Sequence, residues 1–208
     1  MTRGAVIEAA RRLDARGMMP SKSGNVSARE GDGFWITPAA IPYAALGPED
    51  AVFVDAAGEA FGRHRPSSEW RLHAAIYAAR PEIGAVVHTH SPMATALSCA
   101  RRPIPAFHYM VLTAGGEVRC ATHATFGTEA LARACVAAME GRRAVLLANH
   151  GAVAAGATLA GAEALAVEVE NLARQYLALL GAGLAPVLLT ESELAEAAAR
   201  FAEYGRAG

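Results

Sequence analysis

Cysteine is scarce in this chain and lysine nearly missing. Cys99, Cys120 and Cys135 are odd in number, far apart and form no CxxC pair. That argues against a disulfide framework or a thiolate metal site, and for buried or free thiols in a reducing cytoplasm. Lysine occurs once, as Lys22, in the turn before Gly24. An excess of one charge is also lacking: the formal net charge is −1, which gives no support for a nucleic-acid or acidic-membrane partner. No apolar run reaches the ~18 residues of a membrane span. The stretch Leu159 to Leu189 is apolar but is broken by Glu163, Glu168, Glu170 and Arg174. Met1 to Arg16 carries several charged residues and no apolar h-region of a signal peptide. What is present is a core-forming chain, 53% hydrophobic and 19% charged, which excludes disorder. Residues 1–208 are expected to form a single cytoplasmic domain with a substantial core.

Periodicity places the elements. Thr2 to Arg16 is an amphipathic helix with Val6, Ala9, Ala10 and Leu13 on one side, stopped by Gly17. Val26–Arg29 and Phe34–Thr37 form a hairpin around Gly31-Asp32-Gly33, and Ala51–Asp55 is a further strand. Ser67 or Ser68 caps a helix running to Arg80, with Glu69 in its first turn. Ala85–Thr89 is a strand, and Pro92 opens a helix to Cys99. Ile104–Val111 is extended or irregular, and Thr128 caps a helix to Glu140. Ala144–Ala148 and Ala152–Ala155 are strands on either side of Asn149-His150-Gly151. Leu159–Leu180 and Ser192–Tyr204 are helices. Strands precede, interrupt and follow helices without strict alternation. The expected fold is therefore α/β, with a mixed or mainly antiparallel central sheet covered by helices.

The chemistry centres on histidine. His88 and His90 end the apolar run Ala85-Val86-Val87, and in a strand two residues two apart share a face. They present two imidazoles to one point, as metal ligation requires. His150 closes another apolar run, just before Gly151. Three imidazoles leave an open coordination position, the arrangement of a catalytic Zn²⁺ site, with Mn²⁺, Co²⁺ and Fe²⁺ as alternatives. Glu69 either complements its helix dipole or, beside a metal, acts as a general base. His73 shares a helix face with Glu69, and a core or surface position is expected for it before a ligand role. His64 lies between two arginines and reads as solvated, while His108 and His123 stay open. Gly24-Asn25 and Ser67-Ser68 offer backbone N–H groups and hydroxyls to an anion such as phosphate.

Several segments, in order and over nearly the whole chain, resemble the class II aldolase and adducin family. They begin with Ser23-Gly24-Asn25-Val26-Ser27, Ile36-Thr37-Pro38 and Ile41-Pro42-Tyr43. Next come Pro66-Ser67-Ser68-Glu69-Trp70-Arg71, Ala85-Val86-Val87-His88-Thr89-His90 and Ile104-Pro105-Ala106-Phe107-His108-Tyr109-Met110. Ala124-Thr125-Phe126-Gly127-Thr128, Asn149-His150-Gly151 and Tyr204-Gly205 complete the set.

The resemblance implies a homotetramer with fourfold cyclic symmetry and active sites between neighbouring subunits. It implies zinc on His88, His90 and His150, with Glu69 as acid/base and as a further ligand when substrate is absent. Tyr109 would reach the neighbour's site as a proton donor. Gly24, Asn25, Ser67 and Ser68 would hold a substrate phosphate, and Phe126 and Tyr204 would line the aldehyde pocket. The implied reaction is reversible cleavage of a ketose or deoxyketose 1-phosphate, such as L-fuculose 1-phosphate, to dihydroxyacetone phosphate and an aldehyde. The cation would stabilise the enediolate, and the single lysine argues against a Schiff-base route. Alternative substrates are 5-deoxyribulose and methylthioribulose 1-phosphates. Other readings are a pentulose-phosphate 4-epimerase, a dehydratase, or a non-enzymatic adducin-like binding module. One departure stands out. Ala39-Ala40 replaces the Thr-Gly that fuculose-phosphate members carry, which removes a hydroxyl from the phosphate pocket and a glycine from its turn and leaves these two positions only their backbone N–H groups to offer.

Overall fold

The structure, a computed structural model, describes residues 2–204, with only the backbone of Tyr204. Among the described residues eight strands form one sheet: β1 (Asn25–Glu30), β2 (Gly33–Ile36), β3 (Val52–Val54), β4 (Ala60–Phe61), β5 (Ala85–Thr89), β6 (Arg119–Ala121), β7 (Ala144–Leu147) and β8 (Gly151–Gly156). Their order is β4-β3-β2-β1-β5-β8-β7-β6. Every ladder is antiparallel except β6–β7. That parallel pair is joined through helix α4 (Glu129–Ala138), the crossover that parallel neighbours need. The mainly antiparallel sheet covered by helices is thus observed, with one βαβ unit that the sequence reading did not contain.

The sheet is covered on both faces. Helices α1 (Thr2–Ala15), α3 (Pro92–Cys99) and α5 (Leu159–Gly181) pack on one side, α2 (Trp70–Ala79) and α4 on the other. The period of two in the central strands sorts their side chains. Ala85, Val87, Leu146, Ala152 and Ala154 join the α1/α3/α5 core, while Val86, Val145, Leu147, Val153 and Ala155 join the α2/α4 core. Both sets are buried, so these strands read as continuous apolar runs. The last helix is α6 (Glu191–Tyr204). Among the described residues no helix is long and apolar enough to cross a membrane.

The expected helix ends hold. Gly17 takes φ +71° after α1, and the N–H groups of Gly17 and Met18 return to the carbonyls of Asp14 and Leu13, a Schellman stop. Thr128 caps α4 by accepting from Leu131 N. Three differences matter. Glu69 is not in the first helical turn but at the N-cap of α2, and its side chain caps nothing. Ile104 makes a bridge to Val118, and residues 109–114 form a 3₁₀ turn. Strands β4 and β6 have two and three residues, too short to establish an alternation.

Candidate active site

Sheet register decides which polar groups meet. Asn25 of β1 lies opposite His88 of β5, and His88 lies opposite Val153 of β8. His90 follows β5 directly, and His150 sits in the tight β7–β8 connection, where Asn149 takes φ +58°. Glycine is required twice for these approaches. A Cβ at Gly24, whose φ is +80°, would lie 2.6 Å from the His88 carbonyl oxygen, and one at Gly151 would lie 2.3 Å from that of Thr89.

The three imidazoles form a nearly equilateral triangle, with ring centroids 4.8, 4.9 and 4.8 Å apart and tilts of 69–82°. Glu69 completes a group whose four ligand atoms all lie within 4.8 Å of one another. His88 is fully buried and its Nδ1 donates to the Ala152 carbonyl at 3.0 Å. That bond turns its Nε2 toward His90 Nε2 and Glu69 Oε2, each 3.0 Å away, and fixes the ring as metal-ligating histidines are fixed. Glu69 Oε1 lies 3.3 Å from His150 Nε2 yet accepts no hydrogen bond, although it is buried.

These donors fit a cation. Two imidazole nitrogens on a tetrahedral ion at ~2.1 Å stand about 3.4 Å apart, a few tenths of an ångström from the His88–His90 spacing. The orphaned Glu69 oxygen is what such an ion would satisfy. Electrostatics agree. Burial is the largest influence on Glu69 and opposes its charge. His88, His150 and Asn25 together outweigh it and hold the carboxyl far below the usual range. Burial likewise dominates at His90 and His150 and, with the charge of His88, lowers them to about 3 and about 4. Their lone pairs are therefore available at neutral pH. His88 is raised instead: burial is outweighed by the Glu69 carboxylate and the Ala152 carbonyl.

Behind the cluster runs a buried chain of hydrogen bonds. Tyr77 Oη meets Ser27 Oγ at 2.7 Å, and Ser27 Oγ meets His73 Nδ1 at 2.6 Å. His73 Nε2 donates to Asn25 Oδ1, and Asn25 Nδ2 donates to Glu69 Oε2 at 3.2 Å. Burial first, then the charge of His88, lowers His73 to about 3, so it is neutral and one ring nitrogen must accept. With Ser27 donating to Nδ1, only one orientation of the Asn25 amide satisfies every member. His73 is thus a core residue and not a ligand, but it reaches Glu69 through Asn25. Its spacing of four from Glu69 was the signal in the sequence.

Helix α3 ties the two outer histidines together. Ser98 accepts from Asn149 N through its carbonyl (2.9 Å) and from His150 N through its hydroxyl (3.3 Å). At the other end Ser91 provides no side-chain cap. The buried Glu170 of α5 instead accepts from Met93 N at 3.0 Å and from Ala94 N at 2.9 Å. No sequence pattern signalled Ser98 or Glu170.

The cluster opens into a cavity of about 590 Å³. Gly24, Asn25, Ala39, Ala40, Ser67, Ser68 and Phe126 all line it with Glu69, His90 and His150, and His123 does too. Among the described residues no backbone carbonyl takes the N–H of Gly24, Ala40 or Ser68, whereas Ala39 N donates to Arg65 O at 3.0 Å. The Ala39 N–H expected to serve an anion is therefore already engaged; that of Ala40 is not. Tyr109 is not part of this cavity. It is 49% exposed, stacked on His108 and beside Phe201. The Tyr204 side chain lies outside the described residues, and so does Gly205.

Comparison with known proteins closes the argument. The family model described as "Class II Aldolase and Adducin N-terminal domain" matches residues 4–177. A 5-methylthioribulose-1-phosphate/5-deoxyribulose-1-phosphate aldolase of Rhodospirillum rubrum is 50% identical over 98% of this chain and 92% of its own length. An L-fuculose phosphate aldolase of Escherichia coli K12 is 41% identical over 96% and 94%. A solved L-fuculose 1-phosphate aldolase superposes with a TM-score of 0.92 at 38% identity, covering 96% of this chain and 95% of that one. A match of that extent, on a chain with this sheet and this histidine cluster, makes the protein a member of the class II aldolase and adducin family.

Proposed function

We propose that the protein is a metal-dependent aldolase that reversibly cleaves a ketose or deoxyketose 1-phosphate to dihydroxyacetone phosphate and an aldehyde. The observation that carries this reading is the convergence of one buried carboxylate and three imidazoles in a cavity also lined by Gly24, Asn25, Ser67 and Ser68. His88, His90 and His150 would hold Zn²⁺, the ion that an all-imidazole set without thiolates suits best. When bound it would polarise the ketose carbonyl and stabilise the negative charge released as the C3–C4 bond breaks.

This chain's residues account for the protons. In cleavage the C4 hydroxyl proton passes to Tyr109 of the partner subunit, and Glu69 delivers a proton to C3. In condensation Glu69 removes that C3 proton and Tyr109 of the partner subunit protonates the aldehyde oxygen. Asn25 and His73 hold the Glu69 carboxylate in place. Gly24, Asn25, Ser67, Ser68 and the Ala40 N–H orient the phosphate, and Phe126 with Tyr204 borders the aldehyde. The exposure of Tyr109 suits delivery into an adjoining subunit's cavity. On this reading the assembly is a homotetramer with active sites between subunits, and the whole chain acts as one domain. The free thiols of Cys99, Cys120 and Cys135 suit a cytoplasmic setting.

The test is a panel of L-fuculose, 5-deoxyribulose and methylthioribulose 1-phosphates assayed for dihydroxyacetone phosphate, with metal-stripped and zinc-reloaded protein. Activity that survives both chelation and Glu69→Gln would sink the mechanism; inversion at C4 or loss of water would mark an epimerase or a dehydratase. One metal per chain with no lyase activity would mark a binding module. The 50% identity to the R. rubrum aldolase favours the deoxyribulose and methylthioribulose phosphates as the first substrates to try.

A further inference from the structure

Among the described residues one lysine and no arginine line the cavity, and that lysine is the only one of the chain. Lys22 lines the cavity with Gly24, Asn25, Ala39, Ala40, Ser67 and Ser68. Its ammonium makes no ion pair shorter than 4.0 Å among the described residues. The remaining ionisable lining groups are Glu69, His90, His123 and His150, three of which belong to the metal cluster.

The backbone around Lys22 is held in an unusual course. Ser21 and Lys22 take φ +57° and +66°, a region that costs a residue with a Cβ about 1 kcal/mol or more. The turn is closed by Ser23, whose N–H and hydroxyl both reach the Pro20 carbonyl. The same part of the cavity is poor in side-chain donors: Ala39 and Ala40 have none, and the Ala39 N–H is bonded to Arg65. A dianionic phosphate placed there meets neutral hydroxyls, amides and N–H groups, and one cation.

We propose that Lys22 is a phosphate-selecting residue, an ammonium that binds the substrate phosphate where Ala39 and Ala40 offer no side-chain donor. This rests on the sugar-phosphate reading of the site. Its signature is a ground-state contact: Lys22 touches neither the reacting carbons nor the proton donors, so it acts on KM and not on kcat.

The experiment compares Lys22→Ala, Lys22→Arg and Lys22→Glu with the unaltered zinc-loaded protein. It measures kcat and KM on 5-deoxyribulose 1-phosphate, and calorimetric binding of inorganic phosphate, each at low and high ionic strength. We expect Lys22→Ala to raise KM about five- to tenfold with kcat unchanged, the scale of one exposed charge contact to a dianion. Lys22→Glu has a larger effect, Lys22→Arg restores binding, and the differences shrink as salt screens the charge. Phosphate binding falls in parallel. Unchanged KM and phosphate binding in both Lys22→Ala and Lys22→Glu would overturn the proposal, as would a loss confined to kcat. Phosphate binding that depends on Lys22 in a protein that cleaves no ketose phosphate would support Lys22 and defeat the aldolase reading. Cleavage indifferent to Lys22 would do the reverse.

Discussion

The two sides of the cavity are built by opposite means. The histidine cluster rests on paired strands and buried hydrogen bonds: His88 is 0% exposed, and Glu69 is tied through Asn25 and His73 to Ser27 and Tyr77. The rim is made of connections. Lys22 and Ala40 sit in left-handed turns, and Phe126 is 65% exposed. Strand pairing fixes an atom to within a fraction of an ångström, as ligands and proton carriers demand. Turns tolerate replacement, which suits the part that distinguishes one sugar phosphate from another. Changes on the first side should therefore abolish turnover, and changes on the second should redistribute it.

The largest effect is expected at Glu69. Glu69→Gln keeps the volume and most of the Asn25 contact but removes the proposed proton carrier, so kcat should fall about 10²–10⁴-fold. Metal content, read by elemental analysis, should change little, since His88, His90 and His150 remain. If the Glu69→Gln protein kept more than about a tenth of the wild-type kcat, far above the loss expected of a missing proton carrier, the proton would have to travel by another group. The division between the two sides would then fail.

A second test enters the buried chain behind the cluster. His73→Phe fills the space but leaves Asn25 Oδ1 without its donor, while the Ser27 hydroxyl keeps only Tyr77. Unsatisfied buried groups cost about 1–3 kcal/mol each, which chemical denaturation should register. Freed from His73, the Asn25 amide can rotate away from Glu69, and kcat should drop about tenfold beyond any loss of folded protein, as a misplaced carboxylate predicts. Stability lost with kcat intact would reduce His73 to a packing residue. Glu170→Ala is the counterpart on the other face of the sheet. It strips the acceptor from the N-terminus of α3, and about 1–3 kcal/mol of stability should go with it. Because α3 begins two residues after His90 and its Ser98 holds the backbone of His150, Co²⁺-loaded protein should also show an altered visible spectrum.

The same division governs what could be read before the fold was known. His88 and His90 were legible because a strand has period two and an apolar run marked the strand. His150 was legible because it ends another such run at a glycine that a close approach requires. Both signals are local. The β1–β5 register that sets Asn25 opposite His88 is not, because it pairs residues 63 apart in the chain. For the same reason the sequence alone puts Glu69 in a helical turn, where it would serve only to favour the dipole. The pairing and the α2 packing carry it, still charged, to the histidines. Ser98 and Glu170 act through backbone N–H groups, which nearly every residue has, so no pattern of side chains announces them. The fold class was legible from the mix of strands and helices, but β4 and β6 were too short to register. Ala39 could be recognised as an altered position. That its N–H already serves Arg65 could not, since that carbonyl comes from a separate turn.

On the rim the effects should be smaller and should differ among substrates. Phe126→Ala opens the cavity mouth without touching the cluster. With L-fuculose and 5-deoxyribulose 1-phosphates in competition, the ratio of kcat/KM values should move about 10-fold or less, the span that apolar contacts of this size command. Equal loss on every sugar would instead assign Phe126 to the machinery that turns over all of them.

The smallest effect concerns Ala40, whose φ of +63° lies where a methyl group is crowded by its own backbone. Ala40→Gly removes that crowding but adds freedom to the unfolded chain. The two terms, about 1–2 and 0.5–1 kcal/mol, oppose each other. A net gain of about 0.5 kcal/mol is expected, seen as a rise of about a degree or two in Tm. Ala40 lines the cavity and its backbone N–H is kept in the glycine variant, so KM should hold. A gain in Tm with unchanged KM would show that the strain at Ala40 is not needed to orient the phosphate. A KM that rises with the gain in Tm would show that Ala40 keeps the N–H aimed only while its backbone is restrained, so that the strain itself helps to orient the phosphate.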